Sequence, residues 1–315
     1  MSQSKRFYEI DTLKGIAVIL MVIFHFFYLV SKMEIKDINT RCGPLYVSAK
    51  TAHCLFIFLV GVNLAISYKK FKEKNKEDFD NDKNKYYSKY ITKVLKRVAL
   101  LVVAAIAVSI LSYLAFKNLY VKFGIFHFIA AAVLLTAPIV GSKYLSLIVS
   151  AVIGLLYSIL NSGKMRNFTS IACHKTPIFC FVTGIFNTKF SSLDHFSLVP
   201  YLGLVSFGIF IGNTLYTDKE RLFLKNGDSK KLDDFFKENE IVGSLNLMGK
   251  YSFQIYFIHF IAFYFILLAY KKASLRKAVN KENEIRIMQE LEDKFEQVTN
   301  INDPDCLNKN EIEIN

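Results

Sequence analysis

Uncharged apolar blocks about as long as a bilayer is thick constrain this chain more than any other feature. "DTLKGIAVILMVIFH" (Asp11–His25) leaves its charges at Lys14 and then runs ten residues without one, ending on an imidazole. A hydrocarbon core of roughly 30 Å needs about 20 apolar residues of helix. Backbone groups in lipid must be satisfied within the segment itself, so such blocks are helices. Seven are expected, near Leu13–Val30, Lys50–Ser67, Val98–Phe116, Phe123–Val140, Leu145–Leu160, Pro200–Tyr216 and Tyr251–Tyr270. "PIFCFVTGIF" (Pro177–Phe186) is short for a span and would make an eighth if it crosses. The fold class is an all-α integral membrane protein, a polytopic helical bundle.

The formal charge of +13 raises nucleic acid as a partner, but the basic residues crowd between apolar blocks, above all in Tyr68–Arg97. That pattern marks the cytoplasmic flank of a multi-pass protein touching anionic headgroups. The bilayer is thus the expected partner and nucleic acid is not. Lys5 and Arg6 before the first block resemble a signal-peptide start, but no small-residue cleavage site follows cleanly, so the block is read as a retained span. Plasma membrane and endomembrane both remain open, and a homo-oligomer is among the assemblies such a bundle allows. Three regions follow: residues 1–271 as the membrane domain, 272–300 as an amphipathic soluble helix carrying Met288, Leu291, Phe295 and Val298, and 301–315 as a polar, acidic, disordered tail.

The five cysteines show no metal-binding spacing, and no metal is expected. Cys173 and Cys180 are candidates for a disulfide, and "NFT" (Asn167–Thr169) is a weak glycosylation signal.

Polar residues inside apolar blocks carry the functional signal. Lys14 and His25 are eleven residues apart, three helical turns plus about 20°, so they share a face roughly 16 Å apart along the axis. Asp11, three residues before Lys14, lies near the same face. Charged groups in lipid cost a few kcal/mol each, so this stripe should face the bundle or a wet cavity. His53, Asn63, His127 and His259 also interrupt apolar stretches, and Asp194 with His195 precedes the sixth. Singly, each histidine is best explained by an interhelical hydrogen bond of about 1 kcal/mol. Together they suggest a polar chamber.

Five stretches occur in an order seen in one family: "RFYEIDTLKGIAVILMVIFHFF", "FIFLVGVNLAIS", "VKFGIFHFIAAAVLL", "SLDHFSLVPYLGLVSFGIFIG" and "LMGKYSFQIYFIHF". They resemble the heparan-alpha-glucosaminide N-acetyltransferase catalytic-domain family over about Arg6–Tyr270. The resemblance implies a transmembrane acetyltransferase that takes acetyl from cytosolic acetyl-CoA, its co-substrate, and delivers it to an amine or hydroxyl of a sugar or glycan beyond the membrane. The first stretch also resembles a wider membrane acyltransferase pattern, in which an arginine precedes a histidine with ten residues between. Lys14 stands at the arginine's position and His25 at the histidine's; lysine keeps the charge but not the planar fork. Animal lysosomal members look to have their catalytic histidine in the loop after the first span. No histidine lies between His25 and His53 here, so the role does not carry over by position and His25 is the candidate by elimination and depth.

On this reading Arg6, Asp11 and Lys14 receive the donor, His25 and Asp194 are the catalytic candidates, and His53, Asn63, His127 and His259 line the acceptor chamber. The runner-up is a proton-coupled small-molecule transporter using the same chamber without chemistry. It lacks the paired broken helices and repeated halves that many carriers show.

Overall fold

A computed structural model describes residues 6–160, 162, 173, 175–184, 192–217, 220–224 and 226–301, with the side chains of 226–227 and 295–301 left out. The NFT sequon, residues 185–186 of the short apolar segment, Cys306, the side chains of Phe295 and Val298 and almost all of the expected tail lie outside the described residues.

Eleven α-helices are described: α1 (Tyr8–Lys32), α2 (Gly43–Lys74), α3 (Lys76–Asn81), α4 (Lys83–Phe116), α5 (Ile125–Thr136), α6 (Lys143–Leu160), α7 (Pro177–Thr183), α8 (Leu198–Leu215), α9 (Asn226–Glu238), α10 (Glu240–Lys250) and α11 (Ser252–Ile301). Among the described residues there are isolated bridges but no strand. Six helices, α1, α2, α4, α6, α8 and α11, are long and apolar enough to cross a membrane. The all-α membrane class stands. The fourth expected span differs: α5 has 12 residues, about 18 Å of helix, and the chain turns from Ala137 to Gly141. The lysine-rich stretch after the second span is also helical, because α2 continues to Lys74 and α4 begins at Lys83. Local signals set these ends. Pro44 and Pro177 open α2 and α7, where a missing N–H costs nothing, and the Asp82 carboxylate caps α4 by accepting from Lys85 N at 3.0 Å.

The outward faces are as apolar as a bilayer requires. On α4, Leu100, Val103, Ile106, Ile110 and Leu114 are all exposed, at the three- and four-residue steps that make one stripe. On α1 the exposed large apolar side chains are Leu13, Ile16, Ile23 and Phe27, whereas Ile10, Asp11, Val18, Met21, His25 and Leu29 are buried.

The chain divides into two units: Met1–Phe24 with Thr40–Ile258, and His25–Asn39 with His259–Asn315. In the first, α2 packs on α8, α6 on α8 and α4 on α5, around a core that includes Ile57, Ala65, Leu101, Phe128, Val205 and Ile209. The α2–α8 crossing is glycine on glycine. A Cβ at Gly61 would lie 2.1 Å from the Val205 carbonyl oxygen, and one at Gly208 would lie 2.2 Å from that of Phe58. Small residues let helix backbones approach this closely in membranes. The second unit holds α1 from His25 onward and α11 from His259 onward, with Lys271 Nζ donating to the Met33 carbonyl at 2.7 Å.

Candidate functional site

Three groups of polar side chains stand out, two in the first unit and one in the second. The first surrounds the start of α1. α10 lies directly against α1 there: a Cβ at Gly249 would lie 1.8 Å from the Asp11 carbonyl oxygen and one at Gly15 2.1 Å from that of Leu245. Thr12 Oγ1 donates to Asn246 Oδ1 at 2.8 Å. On this platform the buried Asp11 carboxylate accepts from Arg6 through one oxygen and from Lys14 Nζ through the other at 3.4 Å. Lys14 Nζ also donates to Asn63 Oδ1 at 3.3 Å, and Asn63 Nδ2 is spent on the Leu59 carbonyl at 2.7 Å. The i,i+3 pairing read from sequence is therefore made, with Arg6 and Asn63 joined to it.

Lys14 and Asn63 open onto a cavity of about 330 Å³, whose other polar lining is Ser67, Arg97, Ser252 and Tyr256. Apolar side chains including Phe56, Leu101, Phe126 and Phe253 complete the wall. The volume sits at the lower end of small-molecule pockets, and an apolar wall with a few convergent polar groups is their usual chemistry.

The second group begins at Tyr256. Its hydroxyl donates to Asp194 Oδ2 at 3.1 Å, and the same carboxylate accepts from the backbone N–H groups of Ile125 and His195. Asp194 thus caps α5 from a distant loop, doing what the α5 N-cap residue Gly124 has no side chain to do. Phe196 N donates to the Phe123 carbonyl at 3.0 Å and fastens that loop. Burial raises the Asp194 carboxyl from its ordinary 3.8 to about 6, against the opposing pull of the three donors. His195 Nε2 is 2.6 Å from the Phe181 carbonyl and its ring stacks on the Phe181 ring; burial lowers its basicity. Phe181 lies on α7, which the Cys173–Cys180 disulfide ties down, a pairing the cysteine positions suggested. His53 packs against Phe196 and His127 against Phe123. His53 and His127, two of the three histidines expected in the chamber, therefore flank the Asp194 loop through its aromatic neighbours.

The third group is in the second unit. His25 and His259 are both buried, and His25 Nδ1 lies 3.1 Å from His259 Nε2. Phe260 approaches both rings edge-on and Phe263 that of His259. One imidazole must donate and the other accept, so each fixes the other's tautomer.

The sequence matches the family described as "Heparan-alpha-glucosaminide N-acetyltransferase, catalytic" over residues 6–261. The chain belongs to that family. The match covers the polar side chains of all three groups as well as the residues lining the cavity, and it identifies a multi-pass membrane protein of an acetyltransferase family. No curated protein and no solved structure matched the chain.

Two cations escaped the sequence reading. Arg97 was grouped with the lysine-rich stretch, although it is the last charge before the uncharged run Val98–Phe116, and that position was the available signal. Arg221 lay in another lysine-rich segment. Its side chain is fully buried, gripping both Glu9 oxygens at 2.7 and 2.8 Å, Asp233 at 2.5 Å and Ser229 Oγ at 2.8 Å. Burial opposes its charge, but the carboxylates more than compensate and raise its pKa further.

Proposed function

We propose that the protein transfers acetyl from acetyl-CoA to an amine or hydroxyl of a sugar or glycan across the membrane, with His25 as general base. The observation that carries this reading is the buried His25–His259 pair, joined Nδ1 to Nε2 at 3.1 Å in a chain of an acetyltransferase family. Acetyl transfer removes a proton from the attacking amine or hydroxyl and returns one to the departing thiolate. An imidazole suits both halves near neutral pH, and a second imidazole held against it can share the proton between steps. On this reading His259 is a positioning residue that sets which His25 nitrogen is the base.

The donor is received at Arg6, Asp11 and Lys14, on the lysine-rich side read as cytoplasmic. The 330 Å³ cavity fits this role: its lining combines Lys14, Arg97 and Asn63 with apolar side chains such as Phe56, Leu101 and Phe126, the two kinds of partner that a molecule with a phosphorylated head and an uncharged arm requires. Asp194, with His53 and His127 near it, belongs to the acceptor side, and Tyr256 links it to the donor cavity that Tyr256 also lines. Asp194 acts there by holding α5 and the Tyr256 hydroxyl in place.

The test is acceptor-dependent thiol release from acetyl-CoA by the purified chain in detergent, with glucosamine-terminated acceptors. His25→Ala should lose about 10²-fold or more of the rate, the usual share of a general base. His259→Ala should lose less and shift the pH–rate profile. Full turnover by His25→Ala would refute the assignment; wild-type protein that neither binds nor turns over acetyl-CoA would refute the activity.

A further inference from the structure

The positive charge around the cavity is not balanced by the protein. Arg6, Lys14, Lys93 and Arg97 lie at or beside it, and Asp11 is the one carboxylate they pair with among the described residues. Arg6 and Lys14 share that carboxylate. Lys93 Nζ spends itself on Ser67, donating to the carbonyl at 3.0 Å and to Oγ at 3.1 Å. Arg97 makes no hydrogen bond or ion pair among the described residues, yet it lines the 330 Å³ cavity and a recess of about 30 Å³ shared with Ser67 and Lys93.

A half-buried guanidinium with five unspent donors is costly at the edge of an apolar span. An arginine that merely reaches for headgroup level would turn its tip away from the bundle; this one lines two adjoining cavities, beside Lys14, Asn63 and Ser67. A planar fork of donors matches a phosphate's oxygens two at a time, which an ammonium does not.

We infer that Arg97, assisted by Lys14 and Lys93, forms an anion subsite that grips a phosphate or diphosphate ester, and that on the acetyl-CoA reading it holds the donor's diphosphate. Arg97 then supplies from α4 the planar fork that Lys14 cannot supply from α1. The chemistry is shared by a nucleotide-bearing thioester and a lipid headgroup, and the donor is the occupant favoured because Arg97 faces a cavity of ligand size.

Equilibrium binding to the detergent-purified full chain tests this, with coenzyme A, pantetheine and inorganic pyrophosphate as probes and phosphatidylglycerol bicelles as the lipid arm. Arg97→Gln should weaken coenzyme A by about tenfold or more, the worth of one charge-assisted hydrogen bond, and leave pantetheine unchanged. Arg97→Lys should fall between, and Lys96→Gln, on the exposed neighbouring position, should match wild type. Size-exclusion profiles identify a misfolded variant, and Arg97→Lys, which keeps the charge, then carries the comparison. Coenzyme A bound equally by wild type and both Arg97 variants overturns the subsite while the acetyl-CoA reading survives. Arg97-dependent pyrophosphate binding without coenzyme A binding keeps the subsite and removes the acetyl-CoA reading. Arg97-dependent binding of phosphatidylglycerol alone reassigns the site to a headgroup and overturns the donor role. Wild type that binds none of the probes overturns both.

Discussion

Replacing Gly61 by alanine adds a single methyl where α2 meets α8. That methyl would sit 2.1 Å from the Val205 carbonyl oxygen and 2.9 Å from Gly208 Cα. An ordinary contact begins near 3.4 Å, so the helices must part by roughly 3.4 − 2.1 = 1.3 Å along that line. The obstacle is backbone on both sides, so no side-chain rotation relieves it. Overpacking of this kind costs about 1–3 kcal/mol, and a rigid backbone contact belongs at or above the top of that range. The matched control is Gly154→Ala on α6, where a Cβ meets nothing within 4 Å. There the same change should gain up to about 1 kcal/mol of helix propensity. Thermal denaturation of both variants in one detergent, read by the surviving monodisperse peak, should therefore move in opposite directions. Equal midpoints for the two would refute the claim that backbone contact at Gly61 and Gly208 sets this crossing.

Removing the Arg221 guanidinium leaves Glu9 and Asp233 facing each other without a cation, so Arg221→Ala should cost about 3–5 kcal/mol. Adding Glu9→Gln should recover part of it, and a double variant no better than the single would count against the clamp. Asp194 binds its proton more tightly folded than unfolded, near 6 against 3.8. Its contribution to stability is therefore full below about pH 4 and lost as pH rises through 6. The midpoint of wild type relative to Asp194→Asn should fall across that window, and a pH-independent difference would dismiss the shifted carboxyl.

The spans were legible because lipid demands long uncharged runs, and such runs are visible without knowing what packs on what. The end of α5 was obscured because Ala137–Gly141 continues the apolar run, although Pro138, two residues past Thr136, is a local stop signal. Asp11 and Lys14 were legible as a pair, since three residues on one helix fix their proximity. His25 and His259 are 234 residues apart, and nothing in either neighbourhood announces the other. In sequence Asp194 is only an acid ahead of the sixth block; its capping of Ile125 depends on a loop docking against α5, which no local pattern encodes. Arg97 and Arg221 were obscured by the lysines around them. Abundance of like charge in sequence conceals the one cation that turns inward.

The α2–α8 crossing also sets a schedule for biogenesis. Gly61 and Gly208 are 208 − 61 = 147 residues apart. At about 5–20 residues per second, α2 reaches the membrane roughly 7–30 s before the helix it was shaped to meet. For that interval its bare glycine face has only lipid tails or the intervening helices against it, and neither fits a groove cut for another backbone. Those 147 residues are all made while this backbone-to-backbone joint is still open.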